Sequence, residues 1–257
     1  QIGDAPVWGL KIQGWPKNQA DAVAEARRRW PDVRLALCPG VDGIARKWKE
    51  DRHHDRAIDA LVTIADDCVA LGIGHLVYDP ERAWKTDDAD DRELLATIAT
   101  NALTEVRQKY PTLTLGVTSY GFPARVKKAS GDSYGGHSKF PWRGWLPGGV
   151  TYLGQTYDVP GKLVRYEALA IKSFEAAIAR GMIAAGTTRL AEIQTHHNTV
   201  ADLVTVGTST AATFFWAAGS VRRFDADGAR GWRACLALWR AGFWGEGAVA
   251  RFQASRG

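Results

Sequence analysis

Apolar and polar positions alternate along this chain in two different rhythms, and the rhythms themselves alternate. Short apolar runs of strand length are VWGLKI from Val7, VRLALC from Val33, HLVYD from His75, LTLGVTS from Leu113, VTYLGQTY from Val150, RLAEIQT from Arg189 and ATFFWAA from Ala212. Between most of them the apolar residues recur at helical spacing. Ile58, Leu61, Val62, Ala65, Cys68 and Val69 form one such stripe. Leu94, Leu95, Ile98, Ala102 and Val106 form a second, and Leu169, Phe174, Ala177 and Ile178 a third. Pro31, Gly72, Pro111 and Gly186 punctuate the joints. Strands that alternate with helices predict a parallel sheet with helices outside it. The expected fold is α/β, a (β/α)8 TIM barrel whose first strand is missing or atypical, since seven strands are visible where eight are needed. A doubly wound open sheet is the main alternative, but no glycine-rich phosphate fingerprint follows the first strand.

The longest irregular stretch runs from Gly121 to Gly149, with SYGGHSKFPWRGWLPGG at its heart. Long loops in compact domains are usually functional or disordered. Two tryptophans and a phenylalanine speak against disorder, so the stretch reads as a lid or cleft wall.

Composition narrows the class. The 257 residues suit one barrel of roughly 250 residues. With 46% hydrophobic and 24% charged residues, the chain is too apolar for disorder and can bury a large core. No apolar run approaches the ~20 residues that span a bilayer, and no signal peptide is visible. A start at Gln1 rather than Met is what processing or trimming would leave. The net charge of +5 is spread along the sequence without a basic block, which argues against nucleic acid as a partner. Cys38, Cys68 and Cys235 have neither metal-ligand spacing nor an even count, and each sits in an apolar pattern. They read as small buried hydrophobes. Eleven tryptophans are many for this length. Trp15, Trp84, Trp142, Trp145 and Trp216 fall at strand ends or loops, where an indole suits either sugar stacking or the core.

In a barrel the chemistry sits where strands end and βα loops begin. Side chains of a strand alternate faces, so in HLVYDPERAW the residues His75, Val77, Asp79 and Glu81 share one face. Two carboxyl groups this close repel when both are ionised, so one keeps a proton near neutrality. A protonated carboxylic acid is what a glycosidic leaving group requires. The structural alternative is a helix start, with Asp79 as cap and Pro80 in the first turn. In VTYLGQTYDVPG, Gln155 and Tyr157 share a face and Asp158 lies just beyond. Tyr157 can donate a hydrogen bond to a substrate carbonyl, or be a buried tyrosine with a satisfied hydroxyl. In RLAEIQTHHN, Glu192, Gln194 and His196 share a face, and Glu192 inside a barrel needs a partner such as a structural Lys or Arg. His196 and His197 point opposite ways and lack a third ligand, so no metal and no cofactor is expected.

These motifs, in this order, resemble the family 18 glycoside hydrolases, the chitinase-like barrels. VRLALCPGVDG resembles their third strand, Asp79-Pro80-Glu81 the Asp-x-Glu that ends their fourth, LTLGVTSYGFP the fifth, and GQTYD the Tyr-Asp pair of the sixth; TFFWAAG places Trp216 at the end of the eighth. The missing strand is then the first. His75 to Tyr78 carries no acid, a departure from the family's longer acidic signature. The family 25 muramidases, which also carry Asp-x-Glu at a strand end, are similar too. The resemblance implies Glu81 as general acid, Asp79 as the group that orients and stabilises the substrate's acetamido, and Tyr157 as the donor to its carbonyl. Gln155, Asp158, Glu192, Gln194, Tyr120 and Trp216 are the implied substrate contacts. A rival arrangement makes Glu192 the second carboxylate of the pair. AVARFQASRG, from Ala248, resembles Ala-Val-x-x-Phe-Gln-x-x-x-Gly of a small peptidoglycan-binding domain, or is a terminal amphipathic helix. The expected organisation is a barrel over 1–245 and a C-terminal helix over 246–257. Together these imply a glycosidase of N-acetylated polysaccharide, peptidoglycan before chitin, working outside the cell or at a cell wall and encoded by a cell or a phage. The alternative from another class is a barrel that binds cell-wall glycan without cutting it.

Overall fold

The structure is a computed structural model, and it describes residues 9–29, 31, 34–127, 133–156, 163–194 and 213–216. Seven strands form one sheet: β1 (Gly9–Gln13), β2 (Arg34–Cys38), β3 (His75–Tyr78), β4 (Thr114–Tyr120), β7 (Thr151–Gln155), β8 (Arg189–Gln194) and β9 (Thr213–Trp216). They lie in the order β1-β2-β3-β4-β7-β8-β9, and every neighbouring pair is parallel. Between β4 and β7 lies a small antiparallel pair of two-residue strands, β5 (Val126–Lys127) and β6 (Ser133–Tyr134). The helices are α1 (Ala20–Arg29), α2 (Asp42–Asp51), α3 (His54–Ala70), α4 (Ala89–Lys109), α5 (Trp142–Trp145) and α6 (Leu163–Ala179). The seven apolar runs thus become the seven strands of the sheet. Parallel strands buried on both faces have little room for polar alternation, which is why they stand out as runs.

The helix ends follow local chemistry. Asp88 caps α4 by accepting from the Asp91 backbone N–H. Beyond α3, Gly72 adopts φ +69°, its N–H donates to the Val69 carbonyl, and the next N–H, from Ile73, reaches back to Cys68. That pair of bonds is a Schellman ending, which needs a left-handed residue at this point. The stripes read from the sequence face inward: Leu61, Val62, Ala65 and Cys68 on α3, and Leu95, Ile98, Ala102 and Val106 on α4, are buried. Val69 and Leu94, at the margins of those stripes, are exposed.

The sheet has two apolar faces of unequal size. The outer one carries the main core, in which Leu35, Leu37, Leu76, Tyr78, Leu115, Val117 and Tyr152 pack against the helices. The inner one holds a small separate cluster of Cys38, Val77 and Leu153 with Ala36 and Leu190 beside them. Above that cluster the inner face turns polar, and its contacts reveal curvature. Lys11 on β1 forms an ion pair with Glu192 on β8. In a flat sheet these strands, with β2, β3, β4 and β7 between them, would stand roughly 24 Å apart. Two side chains can span that only if the sheet curls strongly toward its inner face. Among the described residues no strand joins β9 to β1, so the pairing itself leaves the sheet open.

The stretch from Gly121 to Gly149 is corrected in its second half. Phe140, Trp142, Trp145 and Leu146 are buried in the main core, so this part is a wedge beneath the sheet rather than a lid. It stands where a regular helix would cover β4 and β7. The single turn of α5 packs so closely on α4 that a Cβ at Gly144 would collide with the Ala96 backbone. Gly144→Ala is therefore expected to lower stability by about 1–3 kcal/mol or more, because backbone cannot yield as a side chain can. Urea unfolding at neutral pH measures it; a loss below about 0.5 kcal/mol would mean the helices are not in contact there.

The same burial revises the tryptophans. Trp84, Trp142 and Trp145 are core residues, and Trp84 and Trp145 meet edge to face with ring centroids 4.7 Å apart. They offer no face to a sugar. Trp15 is half-buried. Cys38 and Cys68 are free and buried, and burial pushes the Cys68 thiol up to about 12 and the Cys38 thiol higher still. Both are inert hydrophobes in this setting. Cys235 and the segment 246–257 lie outside the described residues.

Candidate functional site at the mouth of the sheet

The inner face is built from the strands upward. On β1, Lys11 and Gln13 point inward two residues apart, as Thr118 and Tyr120 do on β4, while Gln155 ends β7 and Glu192 lies on β8. Asp79 follows β3 directly. Its backbone extends the β2–β3 ladder: its N–H donates to Pro39 and its carbonyl accepts from Val41. The carboxyl is thereby fixed at the C-terminal end of the sheet. It does not cap a helix. Its Oδ2 accepts from Gln13 Nε2 at 3.2 Å and its Oδ1 from Gln155 Nε2 at 3.3 Å.

Below it sits the buried ion pair. Glu192 is fully buried, and its two oxygens accept from Lys11 and from the Thr118 hydroxyl. Burial pushes Lys11 down, but Cys38, Glu192 and Asp79 around it outweigh this, so its pKa stays above the ordinary lysine value. We ascribe that rise to Glu192, since the Cys38 thiol is uncharged at neutral pH. The partner that a buried glutamate needs is thus Lys11, a residue hidden in the first apolar run.

The Asp79-Pro80-Glu81 segment is pinned from both sides. Asp42, in the first turn of α2, accepts from the backbone N–H groups of Glu81 at 2.8 Å and Ala83 at 3.0 Å. From β4, Ser119 donates to the Pro80 carbonyl at 2.8 Å. A 3-10 turn, Arg82–Trp84, follows; it is anchored by Asp42 and by Trp84 Nε1, which donates to Val41 O. Glu81 is half-buried beside it. Its charge acts on Asp79, Lys85 and Tyr120.

Tyr120 is clamped at the rim. His137 stacks on its ring with centroids 4.1 Å apart, and Lys85 Nζ lies 3.5 Å from the ring centre. Lys85 also meets His137 Nδ1 at 2.8 Å. Burial, then the Lys85 charge, pushes His137 down to about 4, so its neutral ring accepts from the ammonium. Burial and then Glu81 raise Tyr120, which keeps its phenolic proton as a hydrogen-bond donor.

The decisive electrostatic feature is Asp79. Burial, then the charges of Glu81 and Glu192, push its carboxyl up to about 7, against smaller opposing effects of Lys11 and Gln13. The proton that two neighbouring carboxyl groups were expected to retain thus rests on Asp79. Between about pH 4 and 7 the folded protein holds a proton that the unfolded chain has released, so stability falls as pH rises through this window. A span from 3.8 to about 7 corresponds to roughly 4 kcal/mol at full effect. Residual solvent at this half-buried group brings the expectation to about 2 kcal/mol. Relative to wild type, Asp79→Asn should gain that amount between pH 4 and 8 in urea unfolding. A constant difference across the range would show that Asp79 is ionised in the fold.

Of the residues singled out from the sequence, Asp79, Glu81, Tyr120, Gln155 and Glu192 converge on this inner face and its mouth. Gln194 and Trp216 lie on β8 and β9, two strands paired at Gln194 and Trp216. Tyr157, Asp158, His196 and His197 lie outside the described residues. The sequence reading missed Lys11, Gln13, Asp42, Lys85, Thr118 and His137. Lys11 and Gln13 carried a signal, since polar residues at alternate positions of an otherwise apolar strand face one side together. Among the described residues no group of three His, Cys, Asp or Glu is placed to hold a metal ion, and no helix is long and apolar enough to cross a membrane.

The sequence matches no protein-family model and no curated protein sequence. Among solved structures the chain is similar to a chitinase from Rhizomucor miehei, at 13% identity and a TM-score of 0.47, over 76% of this chain and 64% of that one. It is also similar to a family GH18 chitinase from Cycas revoluta, in complex with allosamidin, at 15% identity and a TM-score of 0.44, over 70% and 55% of the two chains. The chain thus spans less than two thirds of the length of either.

Proposed function

We propose that the protein is a glycoside hydrolase of N-acetylated polysaccharide, with a curled (β/α)-barrel body, acting on peptidoglycan before chitin. The observation that carries this reading is the Asp79 carboxyl, which keeps its proton to about pH 7 beside Glu81 at the open end of the strands. Breaking a glycosidic bond needs a carboxylic acid that protonates the leaving oxygen near neutral pH. In this reading Asp79 stores the proton and Glu81, half-buried at the mouth, delivers it. Asp79 then orients the substrate's acetamido, whose own oxygen is the nucleophile, and Tyr157 binds its carbonyl. Gln155, Tyr120, Asp158, Gln194 and Trp216 complete the substrate contacts. Full burial against Lys11 and Thr118 favours a supporting role for Glu192 over that of a second carboxylate at the bond. The preference for peptidoglycan rests on the motif from Ala248 and implies work outside the cell or at a cell wall.

A second reading is a barrel that holds glycan without cutting it. It is favoured by Val77, the inward neighbour below Asp79, which is packed against Cys38 and Leu153, so that an apolar side chain and not an acid stands behind the pair. One experiment separates the two. The protein is incubated with purified peptidoglycan and, separately, with chitin oligosaccharides, and the soluble fragments are read by mass spectrometry. New reducing ends establish hydrolysis and identify the bond. Co-sedimentation with the glycan and no fragments would favour the binding barrel, and neither result would remove the carbohydrate reading.

A further inference from the structure

The hydrogen bonds of the inner face form one chain whose polarity is set at its buried end. Glu192 is fully buried and paired with Lys11, so its carboxylate only accepts. The Thr118 hydroxyl has a single proton and spends it on Glu192 Oε2. Thr118 Oγ1 can then only accept from the next neighbour, and that neighbour is Gln155 Nε2 at 3.2 Å. This orients the Gln155 amide: nitrogen inward, oxygen away. The second proton of the same nitrogen falls to Asp79 Oδ1 at 3.3 Å. With the amide reversed, Gln155 would set an oxygen against a hydroxyl with no proton left to give.

We propose that Thr118 is a positioning residue for Asp79, acting through Gln155: it reads the charge state of the buried Lys11–Glu192 pair and turns the Gln155 amide donor toward the Asp79 carboxyl. Its importance for turnover rests on the function proposed above, but the geometry can be tested without turnover. Among the described residues, the charged or titratable groups facing Asp79 are Lys11 on β1, Cys38 on β2, Glu81 beyond β3, Tyr120 on β4 and Glu192 on β8. Thr118 is uncharged, so its replacement adds and removes no charge facing Asp79; it does take one donor from Glu192, and a proton gained by Glu192 would lower the Asp79 midpoint, opposite in sign to the shift expected through the amide.

The test is the titration of Asp79 in the full chain by carboxyl-carbon NMR, its resonance being the one absent from Asp79→Asn. A donor to the carboxylate holds the midpoint down. Thr118→Val should therefore move it up by at least about half a pH unit, and Thr118→Ser, which keeps the hydroxyl, should leave it in place. A folded Thr118→Val with an unmoved midpoint would overturn the proposal. Should that variant not fold, the wild type decides: the Gln155 side-chain amide resonances, assigned by their loss in Gln155→Leu, must shift with the Asp79 titration. Amide resonances indifferent to that titration would equally overturn it. Loss of glycan cleavage plays no part in either readout, so failure of the functional reading leaves this one standing, and the reverse.

Discussion

Lys11→Met is expected to destabilise the fold by about 3–5 kcal/mol. The reason is asymmetric. Lys11 and Glu192 are withdrawn from water together, with side-chain exposures of 4% and 0%. Removing the ammonium leaves a buried carboxylate whose remaining donor is the Thr118 hydroxyl. Removing both charges is a different matter, since apolar side chains of similar volume recover the desolvation cost. Lys11→Met with Glu192→Leu should therefore regain most of the loss, and the non-additivity measures the pair. The pH sign is also fixed. A lysine held above its ordinary value contributes below that value, so the contribution persists through neutral pH and fades only as the solution becomes strongly alkaline. Urea unfolding of the two single variants and the double variant gives all of this. A cost under about 1 kcal/mol for Lys11→Met would mean that β1 and β8 do not face each other across the inner side, and the curl of the sheet would fall with it.

The second large effect concerns turnover. Under the proposed function, Glu81→Gln should lower kcat on a cleavable glycan by about 10²–10⁴-fold while KM changes little. The amide has nearly the shape of the acid but carries no transferable proton. The fold should not suffer, because the segment is held through the Glu81 backbone N–H by Asp42 and through Pro80 by Ser119. The wild type should lose activity as pH rises through about 7, where Asp79 releases its proton. Steady-state rates from pH 5 to 9, with unfolding run beside them, separate a chemical loss from a structural one. Wild-type activity retained by Glu81→Gln would move the proton donor to another residue.

The seven strands were legible because each is an apolar run, and parallel strands covered on both faces must be apolar. The stripes of α3 and α4 were legible for the same reason on one side only. The wedge at α5 was not. Its apolar residues are aromatic, closely spaced and broken by Gly144 and two prolines, Pro141 and Pro147, so they present no helical period. The Asp79–Glu81 pair was visible as a spacing, and repulsion between the acids is one cause of the raised Asp79 carboxyl, after burial. That Asp79 holds a proton depends on burial and also on Glu192, which lies more than a hundred residues further along the sequence. Contacts such as Lys11 with Glu192 arise from the curvature of the whole sheet, and local pattern holds no record of curvature. Asp42 was hidden differently: in PGVDG it looks like a turn residue, and nothing nearby shows that its carboxylate serves another loop.

Asp42 also bears on how this architecture can be varied. Parallel α/β sheets are commonly treated as a scaffold on which each βα loop is an interchangeable part. Here the corner after β2 supplies the two acceptor oxygens that shape the turn after β3, so the parts come as a set. A graft that imported Asp79-Pro80-Glu81 into a foreign scaffold without the Val41–Asp42 corner would bring the acids and lose their aim. Conversely, a library that diversifies residues 39–43 in search of a new rim would alter the neighbouring turn without touching its sequence. The unit of transplantation, and of inheritance, is the span from β2 through Trp84.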